Sequence, residues 1–194
     1  MRGLALALLG AYGLVAFVLR VLVQLVLTGS TGIRGVSGRA GPLEWLGGGL
    51  FALAIALSVT GASHGGTGGA AGVHALGAVL AVSGLLATAA AQLAMGRAWR
   101  IGVDPAERTP LVTGGPFALV RNPIYAGMIP FFAGIALLVP GPLTIAGAAS
   151  MTVALELQTR FVEEPHLRRV HGAAYADYAA RVGRFVPGVG RLRR

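Results

Sequence analysis

Of the four gaps between the long apolar runs of this chain, only alternate ones hold arginines. Five such runs can be read, at residues 3–27, 43–62, 70–95, 124–139 and 143–161. The first gap (28–41), the third (96–123) and the tail hold arginines, whereas the second and fourth hold none. Loops facing the cytoplasm carry the positive charge in membrane proteins, so five spans in this order place the N-terminus outside and the tail in the cytoplasm. The hydrophobic fraction is 55% and the charged fraction 12%. A soluble domain carries about twice that charge, so the chain reads as an all-α integral membrane protein. The net charge of +9 then belongs to loops rather than to a nucleic-acid surface. No cysteine is present, which excludes disulfides, thiol catalysis and thiolate metal sites.

The first run is too long for the core of a signal peptide and is expected to remain as a span. Arg20 and Gln24 lie four apart in its second half, and the simpler expectation for such an arginine is snorkelling to the nearby interface. Trp45 and Trp99 read as interfacial anchors. The second gap, Ser-His-Gly-Gly-Thr-Gly-Gly, lacks the ending of a phosphate loop and reads as a flexible turn. His64 and His74 have no third ligand at a suitable spacing, so no metal site is expected. The third run places Gly77 with Ala81, and Ser83 with Ala87 and Ala91, at spacings that let helices approach closely. The fourth run has about sixteen apolar residues and contains Pro130, short of the roughly 20 needed to span. With Pro140-Gly141-Pro142 and the fifth run it suggests a helical hairpin. The tail, 162–194, is polar, with helices expected at 165–170 and 173–182. Arg191, Arg193 and Arg194 suit an anionic membrane surface.

Polar chemistry concentrates in two stretches on the same side of the membrane. In 113–127, Asn122-Pro123 reads first as a helix start, since Asn is a favoured N-cap and Pro suits the first turn. That leaves Gly114, Gly115, Arg121 and Tyr125 unexplained. Glycines, an arginine and a helix N-terminus together suit a carboxylate or phosphate. At the end of the fifth run, Glu163 and Glu164 have two readings. Glu164 can pair with Arg168 one helical turn on, a weak effect of about 0.2–0.5 kcal/mol. Alternatively, the two carboxylates receive an ammonium, ribose hydroxyls or a sulfonium. Tyr175, Tyr178 and Arg181 follow at threefold spacing on one helix face.

Gly-Gly-Pro-Phe-Ala-Leu-Val-Arg-Asn-Pro-Ile-Tyr-Ala-Gly, a short hairpin, then Glu-Glu-Pro and an ending with Tyr175, Tyr178 and Arg-Phe-Val-Pro resemble one family. It is the catalytic half of the isoprenylcysteine carboxyl methyltransferase and phospholipid methyltransferase superfamily. The resemblance covers roughly residues 95–187 and implies a three-helix scaffold (1–95) and a catalytic half (96–194) integrated as one domain. It implies S-adenosylmethionine as cofactor and a lipid or small amphiphile approaching from the bilayer as acceptor, through a carboxylate, amine or thiol. By the same resemblance Leu111, Val112, Gly114 and Gly115 line the cofactor, and Arg121, Asn122 and Tyr125 hold its amino-acid end or the acceptor. Glu163 and Glu164 hold polar groups of the cofactor, while Tyr175, Tyr178 and Arg181 close the cytosolic side. Arg121 and Arg181 are the expected orienting cations. Methyl transfer from a sulfonium is an in-line displacement resting on orientation and exclusion of water, so no general base is named. Two departures stand out: Phe117 replaces a usual tyrosine and Asn122 a usual histidine. A nicotinamide-dependent reductase of the steroid reductase type, and an inactive protein of the same fold, are the alternatives. The lysine-free, Gly/Ala/Arg-rich composition suits a bacterial inner membrane.

Overall fold

The computed structural model describes residues 1–35, 41–66, 68–102 and 109–192. Arg39, the Asp104–Glu107–Arg108 charges of the third gap and the terminal Arg193 and Arg194 lie outside the described residues. Helix α1 spans Arg2–Thr28, α2 Pro42–His64 and α3 Ala71–Met95; α4 spans Pro123–Leu138. The fifth helical rod combines α5 (Pro142–Leu157), a π-helical turn at Gln158–Glu163, and α6 (Glu164–Arg181). A second π-helical turn, Leu14–Leu19, interrupts α1. Two short strands, β1 (Ile33–Gly35) and β2 (Ile101–Gly102), pair in parallel and join the first and third gaps.

Helices α1, α2 and α3 are each long and apolar enough to cross a bilayer. Large apolar side chains point outward along them: Val26 is 86% exposed and Leu93 69%. That suits a lipid surround, where exposing apolar surface costs nothing. Helix α4 has 16 residues, or about 24 Å at ~1.5 Å per residue, short of the ~30 Å hydrocarbon core. Its hairpin with α5 turns at Pro140-Gly141, and Thr144 Oγ1 donates to Val139 O at 2.7 Å to close the turn. The tail's two expected helices are present, the first continuous with α5 and the second following a break at Gly172. Gly172 supplies a kink at φ 51°, ψ −124°, a left-handed conformation that Gly adopts without Cβ strain.

Small residues set the helix pairings. Gly77, Ala81, Gly84, Thr88 and Ala91 form the buried stripe of α3, and it meets Gly127 and Gly134 of α4. A Cβ on Gly134 would stand 2.5 Å from Ala81 N, and one on Gly84 2.5 Å from Gly127 O. The expected Gly77–Ala81 pair is in this seam, but Ser83 and Ala87 are exposed. The stripe follows alternating three- and four-residue steps, which a strict four-residue spacing leaves behind within two turns. On the other side α2 meets α5, where Gly61 faces Thr144 and Gly147 faces Ser58.

Polar side chains of α1 tie it to α3 at four-residue intervals. Tyr12 Oη donates to Thr88 Oγ1 at 3.1 Å, and Gln92 Nε2 donates to Ala16 O at 2.9 Å. Arg20 and Gln24 follow, both buried. Arg20 therefore does not snorkel: Nη2 donates to Gln24 Oε1 at 3.0 Å and to the Gly96 carbonyl that ends α3. Trp99 is no interfacial anchor either, being 2% exposed beneath that guanidinium. Trp45, 62% exposed at the start of α2, keeps the outward position an anchor needs.

Candidate functional site

The arginine-bearing gaps and the tail converge at one end of the bundle. After α6 the chain turns back so that Arg121 N donates to Gly183 O (2.7 Å) and Asn122 N to Arg184 O (3.1 Å). Val120 and Gly183 form an isolated parallel bridge. Gly183 is required there, since a Cβ would fall 2.1 Å from Val186 O. The segments 120–122 and 182–192 thus act as one support for the start of α4.

Beneath that support lies a buried ionic cluster. Glu164 accepts from Arg184 through both oxygens (2.9 and 3.0 Å) and from Arg121 Nη2 at 2.7 Å. Arg121 also donates to the carbonyls of Ala179 (3.1 Å), Val182 and Gly190 (3.0 Å). Its terminal nitrogens are spent on carbonyls and a carboxylate, and only Nε is left unpartnered. Burial alone would push the Glu164 carboxyl up, but the hydrogen bonds and charges of Arg184 and Arg121 hold it below the usual carboxylate range. The expected pairing of Glu164 with Arg168 gives way to this cluster, because the helix turns Glu164 inward and leaves Arg168 in solvent.

Glu163, one residue earlier, points elsewhere. It accepts a hydrogen bond from the Tyr125 hydroxyl and lines a cavity of about 390 Å³. Burial pushes its carboxyl up to about 7, opposed by the Tyr125 bond and reinforced by the charge of Glu164. Arg121 and Arg184, which neutralise its neighbour, direct their bonds to Glu164 and not to it. Asn122 lines the same cavity; its side chain does not cap α4, and Nδ2 is buried without a partner. Pro123 holds the first helical position, so the helix start stands without the asparagine cap.

The cavity lining mixes apolar and polar groups. Tyr12, Ala16 and Phe17 of α1 and Phe51 of α2 contribute largely apolar surface, and Glu44 of α2, Asn122, Tyr125, Glu163 and His171 contribute polar groups. Both π-helical turns border it, through Ala16 and Phe17 and through Gln158 and Glu163. Such turns widen a helix locally and occur often at functional sites. Among the described residues, no three His, Asp or Glu side chains gather as metal ligands.

Of the residues singled out from sequence, Arg121, Asn122, Tyr125 and Glu163 line the cavity. Glu164, Tyr175 and Tyr178 are buried behind its wall instead. Tyr178 Oη donates to Phe117 O at 2.6 Å, and Tyr175 and Tyr178 pack with Leu111 in a small second core. Burial pushes both hydroxyls up to about 12. Val112 is half-buried, and Gly114 and Gly115 are exposed. Gly115, at φ 59°, starts the 3-10 turn Gly115–Ala118 that swings Phe117 inward. None of Leu111, Val112, Gly114 and Gly115 is part of the cavity wall. Arg181 is exposed and stands outside it, while Arg184, three residues on, takes the buried place. Sequence reasoning passed over Arg184, although it is the second arginine of the Arg-x-x-Arg-Phe ending. It also passed over Leu167, Val170 and His171, which share a helical face with Glu163 and were legible from their spacing.

Comparison with known proteins agrees with this architecture. The chain is similar over 98% of its length to the eukaryotic intramembrane Ras methyltransferase ICMT, isoprenylcysteine carboxyl methyltransferase. The TM-score is 0.59, the identity 18%, and 70% of that chain is covered; this is a likeness of fold. Among curated proteins no sequence matches. The family model for phospholipid methyltransferase matches residues 73–174, more than half of the chain, including α4, the hairpin and both glutamates. The chain is a member of the phospholipid methyltransferase family.

Proposed function

We propose that the protein is an S-adenosylmethionine-dependent methyltransferase acting on a lipid or small amphiphile, with its cavity on the cytoplasmic side. The observation that carries this reading is the cavity itself, lined by the aromatic rings of Phe17 and Phe51 together with the polar groups of Glu44, Asn122, Tyr125 and Glu163. Its volume lies within the roughly 300–1,000 Å³ of small-molecule sites. The polar groups suit the cofactor: a carboxyl for a cation, a side-chain amide, and an aromatic hydroxyl. The cofactor, when bound, supplies an electrophilic methyl on a cationic sulfur.

Glu163, in its ionised form, attracts that positive charge, and Tyr125 holds the carboxylate in place. The Nδ2 of Asn122 offers a hydrogen bond that no group among the described residues accepts. Phe17 and Phe51 provide apolar surface for an acyl or prenyl chain and keep water from the reacting end. Arg121 acts by fixing Glu164 and the returning tail, and so the position of Asn122 beside it.

The test is S-adenosylmethionine binding to detergent-purified protein, with NADPH as the competing probe. Glu163→Ala and Asn122→Ala are each expected to weaken binding about tenfold or more, the value of a charge-assisted or buried hydrogen bond of roughly 1.5–3 kcal/mol. Binding of NADPH alone, or of neither probe, by the wild type refutes the reading. Unchanged affinity in both variants refutes the site.

A further inference from the structure

We infer that Arg20, in the first membrane helix, is a positioning residue that holds Trp99 as a wall of the cavity and through it sets ligand affinity. This rests on the cavity being the ligand site. Trp99 belongs to the cavity lining together with Arg100, Ile101 and Gly102, a segment that has left helix α3 and has little regular structure of its own. Its hold on the bundle comes from α1. The Arg20 guanidinium carbon lies 4.6 Å from the centre of the Trp99 ring, within the range of a cation–π contact. One nitrogen of the same group donates to Gly96 O, at the negative end of α3, where a cation is favoured. Gln24, a turn further on, donates to Arg97 O at 2.9 Å. Gly32 closes the remaining side: Ile101 N donates to Gly32 O at 2.9 Å, and a Cβ on Gly32 would stand 3.2 Å from the Trp99 ring.

Packing alone does not account for an arginine at this position. The side chain is 4% exposed, and Nε and Nη1 have no acceptor. Unpaired donors in an apolar interior are costly, and a methionine would fill similar space without that cost. What the guanidinium adds is charge over the indole and a bond to the last turn of α3. Both contacts bear on a stretch of cavity wall that lies outside the α-helices.

The experiment uses the full chain with Trp45→Phe, so that Trp99 is the sole indole. Arg20→Gln keeps a donor for Gly96 but removes the cation. In ligand-free protein it is expected to shift Trp99 emission, and to weaken S-adenosylmethionine binding about tenfold or more, the scale of one lost charge-assisted contact. Arg20→Lys keeps a cation over the ring and is expected to stay near wild type in both. In a Trp99→Leu background, Arg20→Gln is expected to cause no further loss. Unchanged emission in Arg20→Gln overturns the inference. So does an equal affinity loss in both backgrounds, a loss in Arg20→Lys matching that in Arg20→Gln, or failure of Arg20→Gln to fold, which assigns the residue to stability alone. If the wild type binds no S-adenosylmethionine, the functional reading falls, while the ligand-free emission still decides whether Arg20 holds the wall.

Discussion

Adjacent glutamates of identical chemistry are predicted to behave in opposite ways. Glu164→Ala removes the one carboxylate shared by two buried guanidiniums, deleting bonds of 2.9 and 3.0 Å to Arg184 and 2.7 Å to Arg121. Breaking a buried ion pair costs about 3–5 kcal/mol, because the partner charge is left uncompensated. Here two partners are left. Arg121 retains three carbonyls, and Arg184 retains Glu156 at 3.7 Å, which keeps the loss within that range. For a chain of this size 1 kcal/mol moves Tm by about 2–4 °C, so the expected drop is about 6–20 °C in detergent. Glu163→Gln removes no ion pair and keeps an acceptor for Tyr125, so its melting point is expected to stay within about 2 °C or rise, since isosteric amides preserve buried hydrogen bonds. The measurement is paired thermal unfolding by circular dichroism at pH 8. Equal melting points for Glu164→Ala and wild type, or equal losses in the two variants, would refute the assignment of one glutamate to structure and the other to the cavity.

The pH dependences of the two residues also differ in sign. The folded carboxyl of Glu163 titrates at about 7, above its ordinary value of 4.5. The folded state therefore keeps a proton that the unfolded state has lost, and stability from this group falls as pH rises from 4.5 through 7. Cation binding moves the other way: calorimetric affinity for S-adenosylmethionine should rise through pH 7 and become flat in Glu163→Gln. Glu164, held below its ordinary value, contributes stability above that value and loses it as pH falls through its folded pKa, which acid melts would show. Gly134→Ala should cost about 1–3 kcal/mol by overpacking against Ala81 and Gly77, whereas Gly72→Ala, in the first turn of α3 with nothing within 4 Å, should be neutral or slightly stabilising. Gly183→Ala should separate the tail from residues 120–122, seen as earlier proteolysis after residue 182 than in wild type.

Much of the fold was legible because a bilayer punishes ambiguity. Run length marked the helices, and arginine placement grouped the gaps that meet at the cavity end. Periodicity found the Gly77–Ala81 contact but not the seam through Gly84 and Thr88, whose alternating spacing shows only once its partner α4 is in place. The site was legible by type and less so by partner. Nothing in Glu163-Glu164 tells which carboxylate turns inward, because that depends on a π-helical turn rotating the second relative to the first. The choice between Arg181 and Arg184 depended on where α6 ends, at Val182, which leaves the helical face on which the tyrosine spacing had placed Arg181. Arg20 was misread for a related reason. Its acceptor, Gly96, lies 76 residues away, and only assembly of α1 against α3 brings it near.

The returning tail has a consequence for how the protein is made. Arg121 is translated before its acceptors at Ala179, Val182 and Gly190 and before its counter-ion Glu164. Until residue 190 has left the ribosome, α4 starts at a guanidinium with no partners and an asparagine whose backbone N–H is unmet. The cavity end is therefore the last part of the molecule to become native, although α3 and α4 can dock long before. Ribosome stalling a few codons before Gly190 would yield an inserted bundle that lacks a finished site, and that is the intermediate a quality-control protease would meet.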